Sequence, residues 1–255
     1  MKTFLIAVAV GVFGFTSVQA ADVTARRYVK APVTSIANEN WTGCYAGGNA
    51  GGGWHRIDQT ANSNTAGALF VPPLPFGSSE GAAVVGGVQI GCDIRFAGDW
   101  VAGAQGMLDF GNIKSSNASA DPRLAAFGEF QQTTTKNIYT ATARLGYLLS
   151  PQILAYAKGG GAWTSVDTEV FGTIPFFFPS ESVQSNRAGW VAGGGFEWMF
   201  APKWSVFVEY NYIDFGQKTL AFIAAPGNIG APSLMQTNLT QQTALAGVNY
   251  RFYGR

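Results

Sequence analysis

Few side chains in this sequence have the type and spacing that chemistry requires. His55 is the only histidine, and Cys44 and Cys92 are the only cysteines. Haem ligation or general-base hydrolysis would call on that histidine. No cysteine stands beside it, and Asp58 and Ser63 follow at a spacing that selects neither. His55 therefore reads as a solvated loop residue, and no catalytic or metal-binding set is expected. What remains is a group of charges set singly among apolar residues: Asp93, Arg95, Arg144, Lys158, Glu197, Glu209 and Arg251. Their meaning depends on the elements that carry them.

The clearest of those elements is 243–252. Ala244, Ala246, Val248, Tyr250 and Phe252 alternate with Thr243, Gly247, Asn249 and Arg251, with Leu245 the one misfit. Period-two alternation gives a strand with one oily and one wet face. Further strands are expected at 41–54, 82–96, 100–110, 134–147, 153–163, 188–200 and 204–215, the first of them Gly-rich and weakly patterned. In 82–96, Val88, Ile90, Ile94 and Phe96 oppose Gln89, Asp93 and Arg95. In 134–147, Tyr139, Leu145 and Tyr147 oppose Lys136, Thr140 and Arg144. In 188–200, Trp190, Phe196, Trp198 and Phe200 oppose Glu197. In 204–215, Val206, Val208 and Tyr210 oppose Ser205, Glu209 and Asn211, while Lys158 is the one charge in 153–163.

The connections strengthen the reading. Segments 97–99, 148–152 and 201–203 are short and carry Gly or Pro, which suit tight turns. Segments 55–78, 111–132, 167–186 and 216–240 are each twenty residues or more. Long and short connections alternate throughout. An even strand count with short turns at one end and long loops at the other is the pattern of an outer-membrane barrel. A soluble barrel of the same size would turn its apolar face inward around a ligand. Here each clear charge lies opposite the aromatic face, and a charge facing lipid costs roughly 2–4 kcal/mol at mid-membrane. The charged face must line the lumen. The expected fold is an all-β, eight-stranded antiparallel up-and-down transmembrane barrel with short periplasmic turns and four long extracellular loops.

Composition and export signals agree. Charged residues make up 12% of the chain, against roughly 25% in soluble domains, with 33 glycines and 14% aromatics. With a net charge of +1, nothing suggests a nucleic-acid partner, which calls for a clustered basic surface. Lys2, the apolar run from Phe4 to Phe15 and Val18-Gln19-Ala20 form a signal peptide over 1–20. Export to the outer membrane of a Gram-negative cell follows. Residues 21–40 read as an irregular periplasmic lead-in, and 41–255 as the barrel.

Several stretches resemble one family. Trp41-Thr42-Gly43-Cys44-Tyr45-Ala46-Gly47-Gly48-Asn49 is similar to the opening strand of the OmpA-like, porin-family surface barrels of alpha-proteobacteria. Ala155-Tyr156-Ala157-Lys158-Gly159-Gly160, Tyr210-Asn211-Tyr212 with Asp214-Phe215-Gly216, and Gly247-Val248-Asn249-Tyr250-Arg251-Phe252 resemble its later strands. The resemblance implies an eight-stranded outer-membrane barrel, abundant at the surface and often a major antigen. Some members are described as haem binders and some as small porins, and neither role can be placed on residues here. The chain departs from the pattern by continuing Tyr253-Gly254-Arg255 past the closing aromatic Phe252. With the chain ending there, no periplasmic peptidoglycan-binding domain is expected.

Three site expectations follow. Asp93, Arg95, Arg144, Lys158, Glu197, Glu209 and Arg251 all fall near periplasmic strand ends, so they should form an ion-pair network blocking the bore, with Glu209 central and Lys158 or Arg144 as its partner. Cys44 and Cys92 lie at similar heights on neighbouring strands and either form a disulfide or pack as small thiols. In the outer loops, Phe70, Phe76, Phe176, Phe177 and Phe178 form apolar patches that could meet a cell-surface or host protein, lipid or haem, or pack on each other. The function expected is that of a structural and surface-interaction protein. The alternative is a small porin or a haem or ligand receptor, although no residue supports a cofactor.

Overall fold

Among the described residues, alternating side chains build nine β-strands: β1 Gly43–Asn64, β2 Leu74–Phe96, β3 Trp100–Phe110, β4 Ile113–Ala118, β5 Glu129–Ser150, β6 Ile153–Gly172, β7 Glu181–Ala201, β8 Trp204–Ala221 and β9 Pro232–Tyr253. The computed structural model describes residues 41–64, 74–118, 129–172, 181–221 and 232–253. Neighbouring strands are antiparallel, in the order β3-β2-β1-β9-β8-β7-β6-β5-β4, and a β3–β5 pairing closes the ring. β4 continues β3 past a break at Gly111 and Asn112, and both pair with β5. Along β3 the wall thus has eight staves and no free edge, as a structure surrounded by lipid requires. The turn at 97–99 is tight because Ala97 and Gly98 both take positive φ, 43° and 81°.

The lower wall matches a membrane solvent. Outward positions are mostly aliphatic or small, among them Val84, Val88, Ile90, Ile94, Leu145, Val208 and Val248. Aromatic rings mark both margins: Phe96, Trp100, Tyr147, Trp198 and Trp204 below, and Trp54, Phe110, Tyr139, Trp163 and Trp190 above. In β3 the belts stand at the two ends of an 11-residue strand, Trp100 and Phe110. Eleven residues at about 3.3 Å each, tilted by about 40°, rise roughly 25 Å, the height of an outer-membrane apolar band.

Above the upper belt the strands continue, which differs from the sequence expectation. β1 runs to Asn64 and β2 begins at Leu74, so most of the segment 55–78 is strand and not loop. The patterning inverts there. Arg56 and Asp58 face outward, while Ile57 is buried with Leu239, Ile213, Phe215, Val166 and Ile138. Once the wall leaves lipid, water is outside, and the apolar side chains turn inward as in a soluble barrel. His55 is corrected by the same fact. It is not a solvated loop residue but a lumenal one, 3% exposed, with Nδ1 2.9 Å from the hydroxyl of Thr135 across the bore.

The lumen is therefore a filled core. A floor of Trp41, Val101, Leu148, Leu154, Tyr156 and Met199 closes the periplasmic end. The charged tier lies above it, and the inward apolar layer around Ile57 above that. Segments 1–40, the loop residues Phe70, Phe176, Phe177 and Phe178, and the side chain of Phe76 lie outside the described residues.

Cys44 and Cys92 face each other in register on β1 and β2 and are joined as a disulfide, with S–S 2.06 Å. Both face outward, in line with Ala46 and Ile90. Alkylation of the denatured protein without reductant should leave both cysteines unmodified, and prior reduction should label both. Full labelling without reductant would contradict the bridge.

Candidate functional site

The charged tier is set by inward positions on six strands. Asp93 comes from β2, Arg144 from β5, Lys158 from β6, Glu197 from β7, Glu209 from β8 and Arg251 from β9. These are long side chains in a narrow bore, and glycines on the inward face make room for them. A Cβ at Gly103 would lie 2.1 Å from an Asp93 carboxylate oxygen, and one at Gly91 would lie 2.4 Å from the Tyr45 hydroxyl.

Four of the charges close a ring. Arg144 donates from Nε to Asp93 at 2.7 Å and from Nη1 to Glu197 at 3.0 Å, with Nη2 also on Asp93. Arg251 donates from Nη1 to Asp93 at 3.0 Å and from Nη2 to Glu197 at 2.8 Å. Each guanidinium thus bridges the same two carboxylates, and all four side chains are at most 3% exposed. Such burial costs several kcal/mol per ion unless geometry and further hydrogen bonds offset it. The further bonds are present. Glu197 accepts from Ser205 at 2.6 Å and Asn249 at 3.2 Å, and Gln89 links Asn249 to Asn49. Arg251 lies over the Trp41 ring at 4.6 Å and Arg144 over Tyr45 at 4.8 Å, so aromatic faces cover the guanidinium planes.

Glu209 belongs to a second cluster. Lys158 Nζ donates to it at 2.6 Å, Tyr156 at 2.9 Å and Asn211 at 2.8 Å. The Tyr156 ring, 5.1 Å from the Arg144 guanidinium, separates it from the four-membered ring. Two expectations are corrected here. Glu209 is not the hub, because Lys158 satisfies it locally and the ring closes without it. Arg95 is not in the network at all. It sits at the barrel's periplasmic end, where its guanidinium reaches the turn instead, donating to Gly98 O at 2.6 Å and Asp99 at 2.9 Å.

Sequence reasoning missed Trp41, Tyr45 and Tyr156, which wall the ring. The inward parity shared by Tyr45 and Asn49 was the available signal, blurred by the glycines of β1. Among the described residues, no cluster of His, Cys, Asp and Glu is arranged to hold a metal ion.

The comparisons with known proteins agree with this architecture. The chain is 27% identical, over 99% of its length and 100% of theirs, to the 31 kDa outer-membrane immunogenic proteins of Brucella melitensis and Brucella suis. Among solved structures, the outer membrane protease OmpT of Escherichia coli superposes with a TM-score of 0.52 at 8% identity, covering 87% of this chain and 99% of that one. OprG of Pseudomonas aeruginosa superposes with a TM-score of 0.51 at 10% identity, covering 84% and 97%. These two likenesses show the fold alone. A model of the outer membrane protein beta-barrel domain matches residues 7–252, so the chain belongs to that family and resides in the outer membrane of a Gram-negative bacterium.

Proposed function

We propose that the protein is a closed structural barrel of the outer membrane that acts through its exposed surface, with the lumen plugged and not conducting. The observation that carries this reading is the ring of Arg144, Arg251, Asp93 and Glu197, which crosses the bore with every charge matched and buried. An eight-stranded bore is just wide enough for side chains to fill, and the Trp41 floor and the apolar layer around Ile57 fill it below and above. The similarity to proteins named as immunogenic supports a role at the cell surface, where a host or cell-surface partner would meet the outer end. A haem receptor finds little support. His55 is held by Thr135, and its Nε2 lies against Gly81, where even a Cβ would approach to 2.8 Å.

Planar-bilayer recording of the purified barrel tests the plug. Silent membranes, or rare brief events only, are expected. Large, stable, open conductance would overturn the plug in favour of a small porin.

A further inference from the structure

At the level of Ile138 in the apolar layer, one charge lacks a counterpart. Arg187 of β7 points into the lumen beyond the outer-belt residue Trp190 and is only 5% exposed. In the tier below, Arg144 and Arg251 each hold two carboxylates and Lys158 holds one. Among the described residues no carboxylate pairs with Arg187. Its Nη1 donates to the carbonyl of Thr237 at 3.3 Å and its Nη2 to the Thr237 hydroxyl, while Nε has no partner. The two acids with an unpartnered oxygen, Asp109 and Asp167, are engaged elsewhere, Asp109 with Asn49 and Lys158 and Asp167 with Lys136.

Several buried polar groups near Arg187 also lack partners. Thr237 pairs in register with Gln59, which is buried and has no partner for either amide atom. Ser185, two residues along β7 on the same face, has an unpartnered hydroxyl. Gln131 donates to Met235 at 3.5 Å and leaves its Oε1 free. Water can satisfy amides and hydroxyls, but it leaves a buried guanidinium without a counter-charge, and that is the costly state. An oxyanion removes the cost. A free Nε–H beside hydroxyl and amide donors is what a carboxylate or phosphate oxygen accepts from.

We propose that Arg187, with Gln59 and Ser185 as neutral partners, seats a small oxyanion, a carboxylate or a phosphate, in the outer half of the lumen. The solute enters from the cell exterior, because the four-charge ring closes the other end. The site lies above the plug and does not depend on it, since binding is read without any gradient across the membrane.

The test titrates folded, nitrogen-labelled barrel in detergent with sodium acetate and, separately, with inorganic phosphate, at constant ionic strength held with chloride. One arginine Nε–H resonance, absent from the Arg187→Gln variant, should shift saturably with at least one anion, and which anion shifts it assigns the class. Calorimetry should show affinity falling about tenfold or more in that variant, the worth of a charge-assisted hydrogen bond. No saturable shift with either anion, or equal affinity in Arg187→Gln, overturns the site. Should Arg187→Gln fail to fold, Ser185→Ala carries the test. A loss of about fivefold is then expected, and unchanged affinity overturns the proposal.

Discussion

Replacing Arg144 with methionine should cost about 3–5 kcal/mol, the penalty for breaking a buried ion network by removing one member. Arg144 contributes three hydrogen bonds to the two carboxylates of the ring, against two from Arg251. Without it, Asp93 and Glu197 share Arg251 alone, with both carboxylates fully buried. Reversible urea unfolding in lipid vesicles should show the loss, along with weakened resistance to detergent in the cold. The paired variant Arg144→Met with Glu197→Gln leaves one arginine facing one carboxylate and should recover more than half of it. A single-variant cost under about 1 kcal/mol would mean the charges are hydrated, and the plug would lose its basis.

The second large effect is on the outer wall. Val208 faces outward between the belts, 56% exposed, on the stretch of β8 above Trp204. Arginine there should cost roughly 2–4 kcal/mol, as expected near the bilayer midplane. The same side chain in place of Asn238, outward on β9 above the belt and in register with Asp58, should cost less than about 1 kcal/mol. Equal costs at the two positions, measured by the same unfolding experiment, would show that the belts do not mark the membrane.

The facing of the lower barrel was legible in the sequence because lipid and lumen differ in polarity, and the period-two pattern reports that difference directly. Each of the staves was found, together with the inward direction of Asp93, Arg144, Lys158, Glu197, Glu209 and Arg251. The upper half was not legible, for a physical reason. Above Trp54 the outer solvent is water, the pattern reverses, and Arg56-Ile57-Asp58 looks like a polar loop while it forms a strand with Ile57 inside. His55 was misjudged by the same reversal. Strand parity placed Arg95 inward, but parity says nothing of height, and the turn carbonyl of Gly98 was the nearer partner. Nor does parity reveal which long side chains meet, so the ring around Glu197 could not be told from a network centred on Glu209. Arg187 had no such signal, because its importance lies in what is missing around it.

The Cys44–Cys92 bridge faces the lipid side of the wall. Thiol exchange needs a thiolate and a partner able to reach it, and neither survives in hydrocarbon. The bond must then be made while the first two strands are still in the periplasm, and it is sealed once the barrel enters the membrane. Each inserted copy carries a permanent record of the oxidising power its hairpin met in transit, one that later changes in the surrounding redox state cannot rewrite.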